Sequence, residues 1–96
     1  MADAKRARVL DKIQMELGIE GRQIAQILYD SEKLLTVEEI DEKLSEIEEK
    51  EVDIKEIRQI LYTFSDNGYA RSRRYRDSET GWISFLWNLF PDKILK

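Results

Sequence analysis

Between Gly68 and Phe90 the chain gathers residues able to grip nucleic acid or another protein. Arg71, Arg73, Arg74 and Arg76 fall within six positions, with Tyr69, Tyr75, Trp82, Phe85 and Trp87 around them. Guanidinium groups hold phosphates and carboxylates through paired hydrogen bonds, and aromatic faces stack on unpaired bases. Tyr75 and Trp82, which flank a turn, are the stacking candidates. The same residue types dominate protein–protein hot spots, so composition leaves unpaired nucleic acid and a protein surface equally open. A plainer assignment makes the aromatics the core of a small sheet and the arginines its solubilising edge. It suits Tyr69, Phe85 and Trp87, which would anchor the base of the segment.

Other chemistry is poorly supplied. The 96 residues include neither Cys nor His, which removes the commonest nucleophile, general base and zinc ligands. No catalytic constellation remains, and no enzyme, metal site or cofactor is expected. Lack of Cys agrees with an intracellular protein. No apolar run approaches the roughly 20 residues needed to span a bilayer, and the basic N-terminus lacks the apolar stretch of a signal peptide.

The net charge of −4 argues against general affinity for nucleic acid, but its distribution is uneven. Thr36 to Glu56 holds ten acidic residues against three lysines, a balance of −7; Ile57 to Lys96 holds seven basic against four acidic residues, a balance of +3. An acidic run is most simply a solvated face. Four arginines in six residues on a short strand are harder to explain that way.

The elements that must carry these groups follow from periodicity and capping. A first helix is expected over Ala4 to Leu17, stopped by Gly18, and a second over Arg22 to Glu32 burying Ile24, Ile27 and Leu28. Leu34 and Leu35 suit a short strand. Thr36-Val-Glu-Glu39 is a capping box, in which hydroxyl and carboxylate each satisfy the other residue's backbone amide. The helix it opens places Val37, Ile40, Leu44 and Ile47 on one face. Asp53-Ile-Lys-Glu56 repeats the signal before a helix from Ile54 to Asn67 that buries Ile54, Ile57, Ile60, Leu61 and Phe64. Asn67-Gly68 ends that helix. Tyr69 to Asp77 and Trp82 to Leu89 are strands joined by Asp77-Ser-Glu-Thr-Gly81, and Pro91 can start a further helix. The order defines one domain over residues 1–96, mainly α with a small antiparallel sheet (α+β): an extended winged helix-turn-helix. Stopping where its last helix begins, the chain reads as a fragment of a longer protein.

Pairing Arg76 with Trp82 would bring Arg73 to Phe85 and Arg71 to Trp87 as cation–π neighbours. Arginines would then occupy both faces, leaving the distal half of the hairpin wet on both sides. The helix before the hairpin is a weak reader of duplex DNA. Its outward residues include Lys55, Glu56, Gln59, Tyr62, Thr63 and Asp66, and the acidic helix before it would repel a phosphate backbone. A sequence-specific winged-helix regulator binding duplex DNA is therefore the alternative reading and not the main one.

The stretch from Asn67 to Trp87, NGYARSRRYRDSETGWISFLW, resembles the wing of archaeal transcription factor E. The resemblance rests on Arg76-Asp77, three polar residues, Gly81-Trp82 and an aromatic strand reaching Trp87. Leu34 to Ile40 and Ile57-Arg58 add to it. That family is similar to the α subunit of eukaryotic general transcription factor IIE. The resemblance implies a cytoplasmic archaeal initiation factor that assists promoter opening and stabilises the open complex as an adaptor. It implies the RNA polymerase clamp and stalk region, the non-template strand near the bubble and TATA-binding protein as partners. Arg71, Arg73, Arg74, Tyr75, Arg76 and Trp82 would be the contacts. Family members continue into a zinc ribbon, whose cysteines are missing here. Ser45 to Val52 also gives a longer turn between the two motif helices than the family usually has.

Overall fold

The computed structural model describes residues 2–31, 33–49 and 51–95. The longest helical element, α1 (Ala2–Asp30), is broken at Gly18, whose φ of 80° and ψ of −172° lie outside the helical region. In a continuous helix Arg6 and Asp30 would stand about 36 Å apart, yet Arg6 Nε and Nη2 donate to the two Asp30 carboxylate oxygens at 2.8 Å each. The arms are therefore folded back on each other, and Arg22 tying Asp11 at 2.6 Å repeats the antiparallel arrangement. Gly21 lets the arms turn this tightly: a β-carbon there would stand 2.7 Å from that of Leu17. Both expected N-terminal helices are present. Glu32, the expected end of the second, lies outside the described residues.

After β1 (Leu35–Thr36) comes α2 (Val37–Glu48), opened by the capping box as the sequence predicts: Glu39 N–H donates to Thr36 Oγ1 at 3.2 Å and Thr36 N–H to Glu39 Oε1 at 3.1 Å. The Thr36 amide, together with Lys33, holds the Glu39 carboxyl below its ordinary pKa. The long turn expected over Ser45 to Val52 is not found. Ser45 to Glu48 form the last turn of α2, Glu49 caps it in the left-handed region, and only a short link leads to α3 (Ile54–Asp66). Polar sequence concealed helix there, because Ser45, Glu46 and Glu48 are surface positions of an amphipathic turn. The second cap is half of the expected motif. Asp53 accepts the Lys55 amide at 2.9 Å, and among the described residues no reciprocal bond from Glu56 is present.

The chain then forms β2 (Ala70–Arg76) and β3 (Ile83–Leu89), followed by the short helix α4 (Pro91–Ile94). The antiparallel sheet has the order β1-β3-β2, so β3 is central and the arginine strand is an edge. Charged side chains on an edge strand discourage pairing with other chains. The architecture is a mainly helical α+β winged helix with a three-stranded sheet, as the sequence indicated. Val9, Leu10 and Ile13 of α1 are fully buried with Ile24, Leu35, Ile40, Leu44, Ile57, Leu61, Phe64 and Ile94, so α1 is part of the core and not an appendage. Three expected core positions are displaced outward: Ile47 is exposed, and Ile54 and Ile60 are only half-buried. No helix among the described residues is long and apolar enough to cross a membrane.

Candidate nucleic-acid interface

The hairpin is fixed at its base by backbone chemistry. Gly68, at φ 77°, closes α3: Tyr69 N–H donates to Phe64 O at 2.8 Å and Gly68 N–H to Ser65 O at 3.1 Å. This 6→1 and 5→2 pair satisfies the last carbonyls of the helix and turns the chain directly into β2. Phe90 N–H then donates to Tyr69 O at 2.7 Å, tying the exit of the hairpin to its entry. The buried Tyr69 hydroxyl donates to Glu16 of α1 at 2.7 Å, and that bond together with burial raises the phenol above its ordinary pKa.

The register differs by one residue from the expected one. Asp77 N–H donates to Trp82 O and Gly81 N–H to Asp77 O, each at 2.9 Å, so Asp77 faces Trp82 just past the last ladder pair and the loop is Ser78 to Gly81. The Asp77 carboxylate accepts the Glu79 and Thr80 amides at 2.8 and 3.3 Å, and Gly81 takes φ 77°. Counting Asp77 as loop residue shifted the pairing. A slip of one exchanges every neighbour, because side chains alternate with period two. Arg76 pairs with Ile83, Arg74 with Phe85, Arg73 with Leu86, Ser72 with Trp87 and Arg71 with Asn88. The expected Arg73–Phe85 and Arg71–Trp87 neighbours do not form. The Arg71 guanidinium lies instead 5.9 Å from the ring centroid of Phe90.

One face of the hairpin therefore carries Ala70, Ser72, Arg74 and Arg76 with Leu89, Trp87, Phe85 and Ile83; the other carries Arg71, Arg73 and Tyr75 with Asn88, Leu86 and Ser84. Near the base the first face packs on the body: Ala70, Trp87 and Leu89 are buried, as is Tyr69 at the entry to the hairpin. Toward the turn it is open. Phe85, expected to anchor the base with Tyr69 and Trp87, is instead 52% exposed because no element packs onto it; Ile83 is 45% exposed and Trp82, beside the turn and outside this face, 75%. Tyr75 and all four wing arginines are exposed, and among the described residues none of these arginines has an ion-pair partner. The distal hairpin is wet on both faces.

Between α3 and this face runs a groove of about 310 Å³, lined by Arg58 and Tyr62 of α3, Val37 and Glu38 at the start of α2, and Ser72, Ile83, Ser84, Phe85 and Trp87 of the hairpin. The Tyr62 ring, itself 58% exposed, stands 6.2 Å from that of Trp87 at an angle of 53°. Arg58 and Ile83 were not singled out from sequence as site residues, and Tyr62 figured only as an outward residue of α3. The i, i+4 spacing of Arg58 and Tyr62 on the exposed side of an amphipathic helix was the available signal. On α2, α3 and the link between them, Glu38, Glu42, Glu46, Glu49, Glu51, Asp53, Glu56 and Asp66 are all exposed. The helix pair is thus acidic where a groove-reading motif would be basic.

Residues 13–96 match the TFIIE alpha subunit family. The chain is 35% identical to transcription factor E of Metallosphaera sedula over 78 residues, which cover 81% of this chain and 41% of that protein. It is 34% identical to transcription factor E of Thermococcus kodakarensis over 94 residues, 98% of this chain and 47% of that protein. The Haloarcula marismortui transcription factor E is 32% identical over 87 residues, 90% of this chain and 45% of that protein. The chain spans less than half the length of these curated relatives. With the family match running from the middle of α1 through the hairpin and α4, this chain belongs to the TFIIE alpha subunit family of general transcription factors.

Proposed function

We propose that this domain assists promoter opening by holding unpaired DNA and RNA polymerase together through its wing. The observation that carries the reading is the exposure of Arg71, Arg73, Arg74, Tyr75, Arg76 and Trp82 on a hairpin whose arginines lack ion pairs among the described residues. A factor that favours the open complex must bind it better than the closed one. Stacking surfaces meet that demand, since bases offer their faces only when unpaired. The acidic exterior of α2 and α3 opposes a docked duplex, which disfavours a gene-specific regulator reading the major groove. The partners of this reading are the polymerase clamp and stalk region, the non-template strand near the bubble, and TATA-binding protein.

The test is permanganate footprinting of a weak promoter, with a polymerase pull-down in parallel. Full-length protein should increase the reactivity of thymines in the bubble and retain polymerase. Replacement of Arg73, Arg74 and Arg76 by alanine should remove most of the increase while changing the thermal transition little. Unchanged melting together with no retained polymerase would sink the proposal.

A further inference from the structure

The groove between α3 and the hairpin has a feature that packing alone does not account for. Trp87 is only 4% exposed and lines the groove, and its indole Nε1 finds no hydrogen-bond acceptor among the described residues. A buried donor left without an acceptor costs stability, so native proteins keep few of them. Tyr62 on one wall and Phe85 on the other keep about half their surface in water, although an apolar core lies beside them. Arg58 lines the same groove, and Arg74 stands opposite Phe85 on the same sheet face. Both are exposed, and neither has an ion-pair partner among the described residues.

We infer that this groove captures one unpaired nucleobase of a single strand. The base would lie among Tyr62, Phe85 and Ile83, displace the cover over Trp87 Nε1–H, which is buried in the unbound chain, to offer it a carbonyl oxygen or ring nitrogen, and leave its phosphates to Arg58 and Arg74. Each part of the ligand answers a distinct feature: a flat π-face for the aromatic walls, an acceptor for the orphaned donor, an anion for the cations. A peptide could supply the acceptor, but the favourable charge is cationic and the two half-exposed walls are aromatic, the combination that single-stranded nucleic acid uses. Glu38, also in the lining, opposes a phosphate at its end of the groove and so places the backbone on the arginine side. A base inside a duplex has its faces covered and cannot enter. The inference rests on the reading that the wing meets unpaired DNA, and it adds a specific seat for that strand.

The experiment is a titration of the 96-residue chain with single-stranded DNA of roughly ten nucleotides, a length within the usual range of single-strand sites, followed by the backbone amide and indole N–H resonances. The sequence has two tryptophans, so Trp82→Phe assigns the Trp87 signal. The Trp87 indole resonance should move with single-stranded DNA and stay still with a duplex of the same sequence. Tyr62→Ala and Phe85→Ala should each weaken binding about tenfold, as loss of one stacking partner does. Both side chains are half-exposed, so the folded state survives the change. Met15→Ala, at an 88% exposed position on α1, should leave affinity unchanged. Movement confined to Tyr75 and Trp82 would overturn the groove and leave the wing reading standing. Equal movement with duplex would overturn the capture of an unpaired base. No movement at any hairpin residue would remove the groove and leave the wing reading to the footprint alone.

Discussion

The two halves of the hairpin share strands, register and face, yet they live in different surroundings. At the base, Ala70, Trp87 and Leu89 turn inward against α3 and α1 and are nearly sealed from water. Two to four residues from Trp87 toward the turn, on the same face, Phe85 and Ile83 are separated from α3 by the groove and no helix packs onto them. Burial of an aromatic side chain contributes several kcal/mol, while an exposed one contributes little to folding. The base is therefore explained by the fold. Its aromatics would be chosen for packing whatever the domain did. The distal half is not so explained, and neither are the four arginines that alternate across its two faces. What separates structure from function here is the place along the strand at which α3 stops packing on the sheet and the groove opens, and not residue type.

That contrast can be broken first at Trp87 against Phe85. Trp87→Ala empties a nearly buried site in the middle of the sheet, flanked by Leu35 on β1 and Ser72 on β2. It should cost about 3–5 kcal/mol, visible as a large drop in the thermal or urea midpoint. Phe85→Ala, one step outward on the same face, should stay below about 1 kcal/mol, because half its surface is already wet. Equal losses at the two positions would mean that the distal face is packed in solution, and the comparison would fail.

A smaller effect belongs to the Tyr69 hydroxyl, which joins the base of the hairpin to α1. Tyr69→Phe keeps the ring and removes the bond to Glu16, leaving that carboxylate to water. A loss of about 1 kcal/mol is expected. The pH dependence has a definite sign. Donation to Glu16 and burial raise the phenol above its unfolded value, so its contribution is complete below about pH 10, the ordinary tyrosine value. It is lost as pH rises through the folded-state pKa. Urea midpoints of the parent chain should therefore converge on those of Tyr69→Phe at alkaline pH. A gap that widens instead would show that the phenolate is favoured in the fold.

Local signals were legible where one side chain decides one backbone bond. Thr36 and Glu39 announced α2, Asp53 announced α3, and Gly68 announced the end of α3, since each acts within a few residues of itself. The register was not legible, because it depends on whether Asp77 faces Trp82 or lies within the loop, and an Asp suits a turn in either place. The extent of α2 was hidden by glutamates that serve equally as loop and as exposed helix. The groove was hidden for a third reason. Arg58 and Tyr62 meet Phe85 and Trp87 only through tertiary packing, and the one-residue register decides which residues of β2 join the face of β3 that meets them. In the expected register the arginines and aromatics would be cross-strand partners; in the structure Arg74 alone stands opposite a wing aromatic, Phe85, while Ser72 opposes Trp87.

The smallest stability effects should fall on the arginines, and they sharpen the comparison most. Arg74→Ala and Arg76→Ala remove exposed side chains without ion pairs among the described residues, and each should change stability by less than about 0.5 kcal/mol. Arg71 differs, since its guanidinium lies over Phe90 at the base of the hairpin; its loss should cost about 0.5–1 kcal/mol, the worth of an exposed cation–π contact. Affinity for single-stranded DNA should follow a different order. Each arginine that neutralises a phosphate releases counterions, and its removal should flatten the plot of log affinity against log salt by about 0.7. If the working face is the one facing the groove, Arg74 and Arg76 change that slope while Arg73, on the opposite face, does not. If the tip is gripped from both sides, all three change it equally. A slope that none of them alters would return the arginines to the role that edge strands ordinarily give them, keeping the strand soluble and unpaired.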